Sequence, residues 1–196
     1  MPNPTEYTVE YRNVKHPRLE FKTGTLLIIL PKIGWTPEQV LEKYGGWIKR
    51  KQTTINTAIH QTTQETINRT RTQIELKNLV MQLAFTGQKE LNTRINRIYF
   101  RKMKTKWASH SKNNNLTINT LLKFLPEDLI SYIVYHEIAH NIERKHNETF
   151  WNLINRKHPD YQTQEKKLLT YWFLIQRTQA NHPLEVNRCT NLPHRR

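Results

Sequence analysis

The chain has 196 residues and a net charge of +15, from 31 Lys and Arg against 16 Asp and Glu. That length fits one domain, or one domain with a small attachment, and it can bury a core without disulfides. A single cysteine, Cys189, excludes an intrachain disulfide framework and a cysteine-based zinc site, and no run approaches eighteen apolar residues.

The start, Met1-Pro2-Asn3-Pro4, lacks the basic and apolar regions of a signal peptide. A cytoplasmic protein with no membrane segment is therefore expected. The charge is uneven. Residues 61–125 carry 12 basic and 3 acidic residues, so the middle third holds +9 of the +15. Such an excess favours an anionic partner such as nucleic acid, against the alternative of a plain solvated charged face.

In chain order, Tyr7, Val9 and Tyr11 alternate with polar residues. Leu19 and Phe21 follow, and then the run Leu26-Leu27-Ile28-Ile29-Leu30 before Pro31. These predict short strands, read as a small β-meander. Thr36-Pro37-Glu38-Gln39 has the form of a capping box with Pro at the first helical position. The helix it opens is expected to break or bend at Gly45-Gly46. A second helix is expected over 73–86, with Leu76, Leu79, Val80 and Leu83 on one face and Gly87 as its stop. Arg97 to Trp107 reads as a strand, Asn113-Asn114-Asn115 as a turn and Leu116-Thr117-Ile118-Asn119 as the returning strand. Pro126 opens a helix that is apolar nearly all round, which predicts burial. Further helices are expected from Asn147 toward Pro159 and over 163–176. The expected division is 1–72 as N-terminal strands, helix and connector, 73–178 as a core, and 179–196 as a polar tail.

The buried helix after Pro126 also carries His136-Glu137-Ile138-Ala139-His140, the pattern H-E-x-x-H. Histidines at i and i+4 share one helical face, so both imidazoles reach one ion. Zinc suits neutral imidazole ligands with a position left open for water, and Glu137 stands beside that face as a general base. A third ligand is required. His146 lies ten residues after His136, and on an unbroken helix it would point about 80° away. The chain is therefore expected to turn after Ile142, with Asn147-Glu148 capping a new helix directly behind His146. Metzincins share this offset. They also need Gly at +7, where this chain has Glu143, and a downstream Met-turn, and no Met follows His146.

These residues resemble the YgjP-like zinc metallopeptidases, relatives of the SprT-like and WLM families. The similarity runs from Ile98 to Leu169. It takes in Arg101 to Trp107, Leu116 to Asn119, Tyr132-Ile133-Val134-Tyr135 leading into H-E-I-A-H, and His146 to Trp151, which is similar to the family's N-H-S-x-x-F-W stretch. The resemblance implies an α+β, zincin-like fold with a strand pair and active-site helix lining a cleft. It implies one Zn2+ per chain on His136, His140 and His146, Glu137 as base, and a protein or peptide substrate. The family's W-G-S-C reads Trp107-Ala108-Ser109-His110 here. His110 in place of Cys is a candidate substrate contact, against a plain surface histidine. Tyr161 is a candidate oxyanion contact, against simple packing.

Arg101, Lys102, Lys104 and Lys106 form a basic run beside Tyr99, Phe100 and Trp107. They are candidate nucleic-acid contacts, since cations meet phosphates and aromatics stack on bases. Strand alternation instead assigns Phe100 and Trp107 to the core. Relatives that cleave DNA-bound protein make that role an expectation by analogy. The alternative is a basic nucleic-acid-binding protein with a structural or weakly active zinc site.

Overall fold

The computed structural model describes residues 7–22, 25–62 and 65–181. Three short strands come first: β1 (Tyr7–Arg12), β2 (Arg18–Lys22) and β3 (Thr25–Pro31). They do not form a meander. The order is β1-β3-β2, with β1 parallel and β2 antiparallel to β3. The reason lies in β3, where Leu26 to Leu30 are all buried. A strand apolar on both faces belongs in the middle, and the half-polar β1 and β2 flank it.

Helix α1 (Pro37–Gln61) starts at the expected capping box: Thr36 accepts from the Gln39 N–H, and Gln39 Oε1 accepts from the Thr36 N–H. It runs 25 residues without a break at Gly45-Gly46. Each glycine costs roughly 1 kcal/mol in a helix interior. Buried Val40, Ile48, Ile55 and Ala58 lie on either side and outweigh that cost through packing. Helix α2 (Gln73–Glu90) likewise continues through Gly87. A Cβ there would meet Ile138 Cδ1 at 2.9 Å. Gly87 is thus a close-approach point between α2 and the next long helix, not a stop.

The expected strand over 97–107 is two strands with a loop between them. β4 (Arg97–Arg101) pairs parallel with β6 (Asn115–Asn119), and β5 (Ala108–His110) pairs antiparallel with β6, giving the order β4-β6-β5. The expected strand pair is therefore a three-stranded sheet. Asn119 explains the interruption. Its side chain is fully buried, donates to the carbonyls of Met103 (2.9 Å) and Lys106 (2.7 Å), and accepts from the N–H of Met103 (3.2 Å) and Leu121 (3.1 Å). It holds the loop 102–107 folded back on the sheet. The β5–β6 turn uses Asn114 at φ 53°, a conformation asparagine tolerates.

Helix α3 (Glu127–Ala139) follows a 3-10 turn and is buried on most of its surface, as its apolar circumference predicts. It ends at His140, and the chain turns before α4 (Glu148–Lys157), whose N-cap is Asn147. Helix α5 (Tyr161–Asn181) closes the described chain. The fold is α+β. One apolar core joins α2, the second sheet and α3 to α5, and a smaller one lies under the first sheet. Ile55 and Ala58 of α1 meet Phe173 of α5 and connect the two. Cys189 and residues 182–196 of the expected tail lie outside the described residues.

Candidate metal centre

His136 sits one turn before the end of α3 and His140 caps that end. The turn then brings back His146, whose Nε2 is 3.0 Å from His136 Nε2. One donor atom from each of the three histidines lies within 4.8 Å of the others. Phe150, fully buried on α4, is the floor beneath them. Its ring lies 4.9 Å from His136, 4.6 Å from His140 and 4.8 Å from His146. The third histidine is fixed by α4. Asn147 Oδ1 accepts from the Phe150 N–H, and Trp151 Nε1 donates to the His146 carbonyl at 3.1 Å.

The other ring nitrogens are held from behind. Tyr132, one turn before His136 on α3, donates its hydroxyl proton to Glu165 Oε1 at 2.5 Å. The Tyr132 hydroxyl oxygen lies 3.3 Å from His136 Nδ1 and can accept a proton from it. This fixes His136 as the tautomer with Nδ1 protonated and Nε2 free. His140 Nδ1 donates to the Glu143 carbonyl at 3.0 Å, so its Nε2 is free as well. Ligand histidines are oriented in this way by their outer partners.

Burial and the neighbouring His140 and His146 push His136 down to about 3, and burial also lowers His140. Metal binding needs neutral imidazole. Two Zn–N bonds of about 2.0–2.1 Å at a tetrahedral angle separate their nitrogens by about 3.4 Å. The His136–His146 spacing of 3.0 Å is a few tenths of an ångström short of that, and three imidazole donors within 4.8 Å of one another suit one zinc-like ion once the rings part slightly around it.

Glu137 points to the other side of α3's last turn, toward β5. Burial raises its carboxyl to about 7, against the pull of the Lys106 charge and the His110 backbone N–H. That N–H of β5 is what holds the carboxylate in place. His110 itself reaches the site: its side chain lines a cavity with His136, Glu137, His140 and His146. Its buried Nε2 and the buried Oδ1 of Asn141 have no other partner and face each other at less than ideal hydrogen-bond geometry. Burial lowers the His110 pKa, with Asn141 opposing. Tyr161 lines neither cavity beside the histidines. It stacks on Trp151 at 4.9 Å, and Trp151 stacks on His146 at 5.4 Å. Arg101, Lys102, Lys104 and Lys106 are all exposed, and only Lys106 lines the cleft. Phe100 and Trp107 pack partly buried against the core.

Sequence reasoning missed Tyr132 and Glu165. Tyr132 had a signal, since i−4 from His136 is the same helical face. Glu165, 29 positions after His136, had none.

A family model for the YgjP-like metallopeptidase domain matches residues 60–171, more than half of the chain. A search of curated proteins finds no match. Among solved structures, the chain is similar to the metallopeptidase zymogen jannalysin of Methanocaldococcus jannaschii. That likeness has 27% identity over 53% of this chain and 96% of that one, with a TM-score of 0.40. It is also similar to the metallopeptidase zymogen abylysin of Pyrococcus abyssi, with 20% identity over 53% and 95% and a TM-score of 0.38.

Proposed function

The chain belongs to the YgjP-like metallopeptidase family, and from that premise we propose that it is a single-zinc peptidase with ligands His136, His140 and His146 and with Glu137 as its base. A metallopeptidase acts on protein or peptide substrates. The observation that carries the residue assignment is the convergence of three imidazoles beside a half-buried carboxyl that desolvation raises to about 7. The same reading treats residues 73–178 as a zincin-like core, 1–72 as an attached N-terminal unit and 179–196 as a tail, in a cytoplasmic protein. Among the described residues no helix is long and apolar enough to cross a membrane.

A divalent ion on the three histidines supplies a Lewis acid that polarises a peptide carbonyl and acidifies water. The chain's own residues do the rest. Glu137, held by the His110 N–H, takes a proton from the attacking water. The water oxygen bonds to the carbonyl carbon, the C–N bond breaks, and Glu137 passes its proton to the leaving nitrogen. Tyr132 and the Glu143 carbonyl keep His136 and His140 in the ligating tautomer. His110 serves as a substrate contact on the cleft wall.

The finer reading is that the substrate is protein bound to nucleic acid. Lys106, Lys112 and Arg144 surround the cavity at His140 and His146. Neither they nor Arg101, Lys102 and Lys104 form an ion pair among the described residues. Unpaired cations at a cleft mouth attract phosphates or acidic chains.

The test compares zinc-loaded wild type with Glu137→Gln on an unfolded protein, with and without a DNA duplex, at low and high salt. Wild type is expected to cleave and the variant to keep its zinc without cleaving. DNA is expected to speed cleavage of a DNA-bound protein at low salt only. Equal inactivity of both proteins on every substrate refutes the peptidase assignment. Salt-steep DNA binding with that inactivity leaves the binding module.

A further inference from the structure

The cleft has two halves that meet at His136 and Glu137. One is the polar half with Lys112 and Arg144. The other is a cavity of about 420 Å³. That volume lies within the range of small-molecule and side-chain pockets. Its walls are mainly apolar, with the charged groups at the mouth. Trp107 and Trp172 meet edge to face at 4.9 Å and form one side. Leu169 of α5 forms another. The last comes from the N-terminal unit: Phe21 of β2 and Ile55 of α1. Phe21 and Ile55 both precede residue 60, where the match to the family's domain begins.

Four of these five side chains, Phe21, Trp107, Leu169 and Trp172, are only half-buried, although Phe21, Trp107 and Leu169 pack against a core. Beyond the Trp107–Trp172 contact and the packing of Phe21 and Leu169 against the cluster of Ile55, they present apolar surface to the cavity. Charge at the mouth is balanced. Lys51 and Lys106 face it, as do Glu137 and Glu165, and the Glu165 carboxylate is already engaged by Tyr132. A basic side chain would find the Glu165 carboxylate already engaged by Tyr132, and an acidic one would meet Lys51 and Lys106 only at the exposed rim, so either would lose water on going deeper without a counter-charge there. A bulky apolar one would gain contact on every wall.

We infer that this cavity is the specificity pocket of the cleft, that it takes a large apolar or aromatic side chain next to the cleaved bond, and that Phe21 and Ile55 make the N-terminal unit part of substrate selection. The inference rests on the peptidase reading for the word substrate, and on the cavity alone for the class of side chain.

Two measurements on the full chain test it. In the first, zinc-loaded enzyme is given internally quenched peptides in which each residue flanking the cleaved bond is in turn Phe, Leu, Ala, Asp or Lys. One flanking position is expected to favour Phe and Leu over Ala and Asp by about tenfold or more in kcat/KM, as pocket discrimination of this kind gives. Phe21→Ala is expected to reduce that ratio severalfold. Leu169→Trp, which fills the cavity, is expected to reverse it in favour of Ala. No apolar preference on either side, or a preference that survives both variants, overturns the proposal. In the second, metal-free protein is titrated with 3-phenylpropionamide and with propionamide, and the indole N–H signals of Trp107 and Trp172 are followed by NMR. Saturable shifts are expected with the phenyl compound only, and they are lost in Leu169→Trp. Failure to saturate overturns the pocket. If no peptide is cleaved, the peptidase reading fails, and this second measurement still decides the pocket.

Discussion

Replacing Tyr132 by Phe removes one oxygen from the centre of the site and leaves the ring. Tyr132 is 1% exposed, so Phe keeps its packing, including the edge contacts to His136 and His158 at 5.7 and 5.4 Å. What is lost is the acceptor for the His136 Nδ1 proton and the link to Glu165. Outer partners of ligand histidines are worth 10–100-fold in metal affinity, or about 1.4–2.8 kcal/mol. Glu165 Oε1 is already 4.0 Å from His136 Nδ1 and can close part of that gap. The expected loss is therefore in the lower half, about 10–30-fold in zinc affinity. Competition against a zinc-binding dye measures it, with a thermal melt to check the fold. Nitrogen NMR of His136 separates orientation from general loosening, because the variant is expected to populate the other tautomer. Glu165→Gln is expected to be non-additive with Tyr132→Phe, since both act through one chain of hydrogen bonds. A zinc affinity within twofold of wild type, with His136 still protonated at Nδ1, refutes the reasoning.

His146→Ala is expected to weaken zinc by more than the roughly 100-fold ceiling of an outer partner. Because His146 is exposed, the metal-free variant is expected to melt with wild type; a matching zinc affinity would remove His146 from the ligand set. Glu137→Gln reports burial through pH. In metal-free protein the folded Glu137 titrates at about 7 and the unfolded one near 4.5, so folded chains hold the extra proton and Glu137's contribution to stability falls as pH rises between those values. His136 works in the opposite sense. It titrates at about 3 folded against 6.5 unfolded, and its contribution is lost as pH falls through that window. Urea melts in chelator from pH 4.5 to 7.5 should show wild type losing stability relative to Glu137→Gln, by at most about 3 kcal/mol; a constant difference contradicts the burial account. Gly87→Val is expected to cost about 1–3 kcal/mol by forcing α2 from Ile138, while Gly87→Ala stays near neutral as helix propensity offsets the crowding. Urea melts decide, and a neutral Val variant would show that the helices can part freely.

The parts of this fold legible in the sequence are those set by neighbours in the chain. The Thr36 capping box and the Asn147 cap are four-residue patterns, and both stand where the pattern puts them. The turn between His140 and Asn147 follows from the offset of His146, because an unbroken helix could not bring it back. What was not legible depends on distant partners. Gly45, Gly46 and Gly87 each look like a helix end, and each is overruled by packing from another element. The place of β3 at the centre of its sheet could be argued from its uniform apolarity, but its parallel pairing with β1 could not. The run 97–107 alternates like a strand, and one buried amide from residue 119 folds its second half into a loop. Glu165 and the pocket walls at Phe21 and Ile55 are joined to the site only by the tertiary fold.

That buried amide has a consequence for binding kinetics. Lys106 lies on both halves of the cleft, and the Asn119 side chain grips the backbone at Met103 and Lys106 through three hydrogen bonds. The loop's path is thus chosen during folding, before any substrate arrives. A ligand meets a rim that is already shaped, and it does not have to give up affinity to order six residues on arrival. Encounter then resembles the docking of two rigid surfaces, with association limited by diffusion and orientation, and selectivity expressed in how long a bound chain stays.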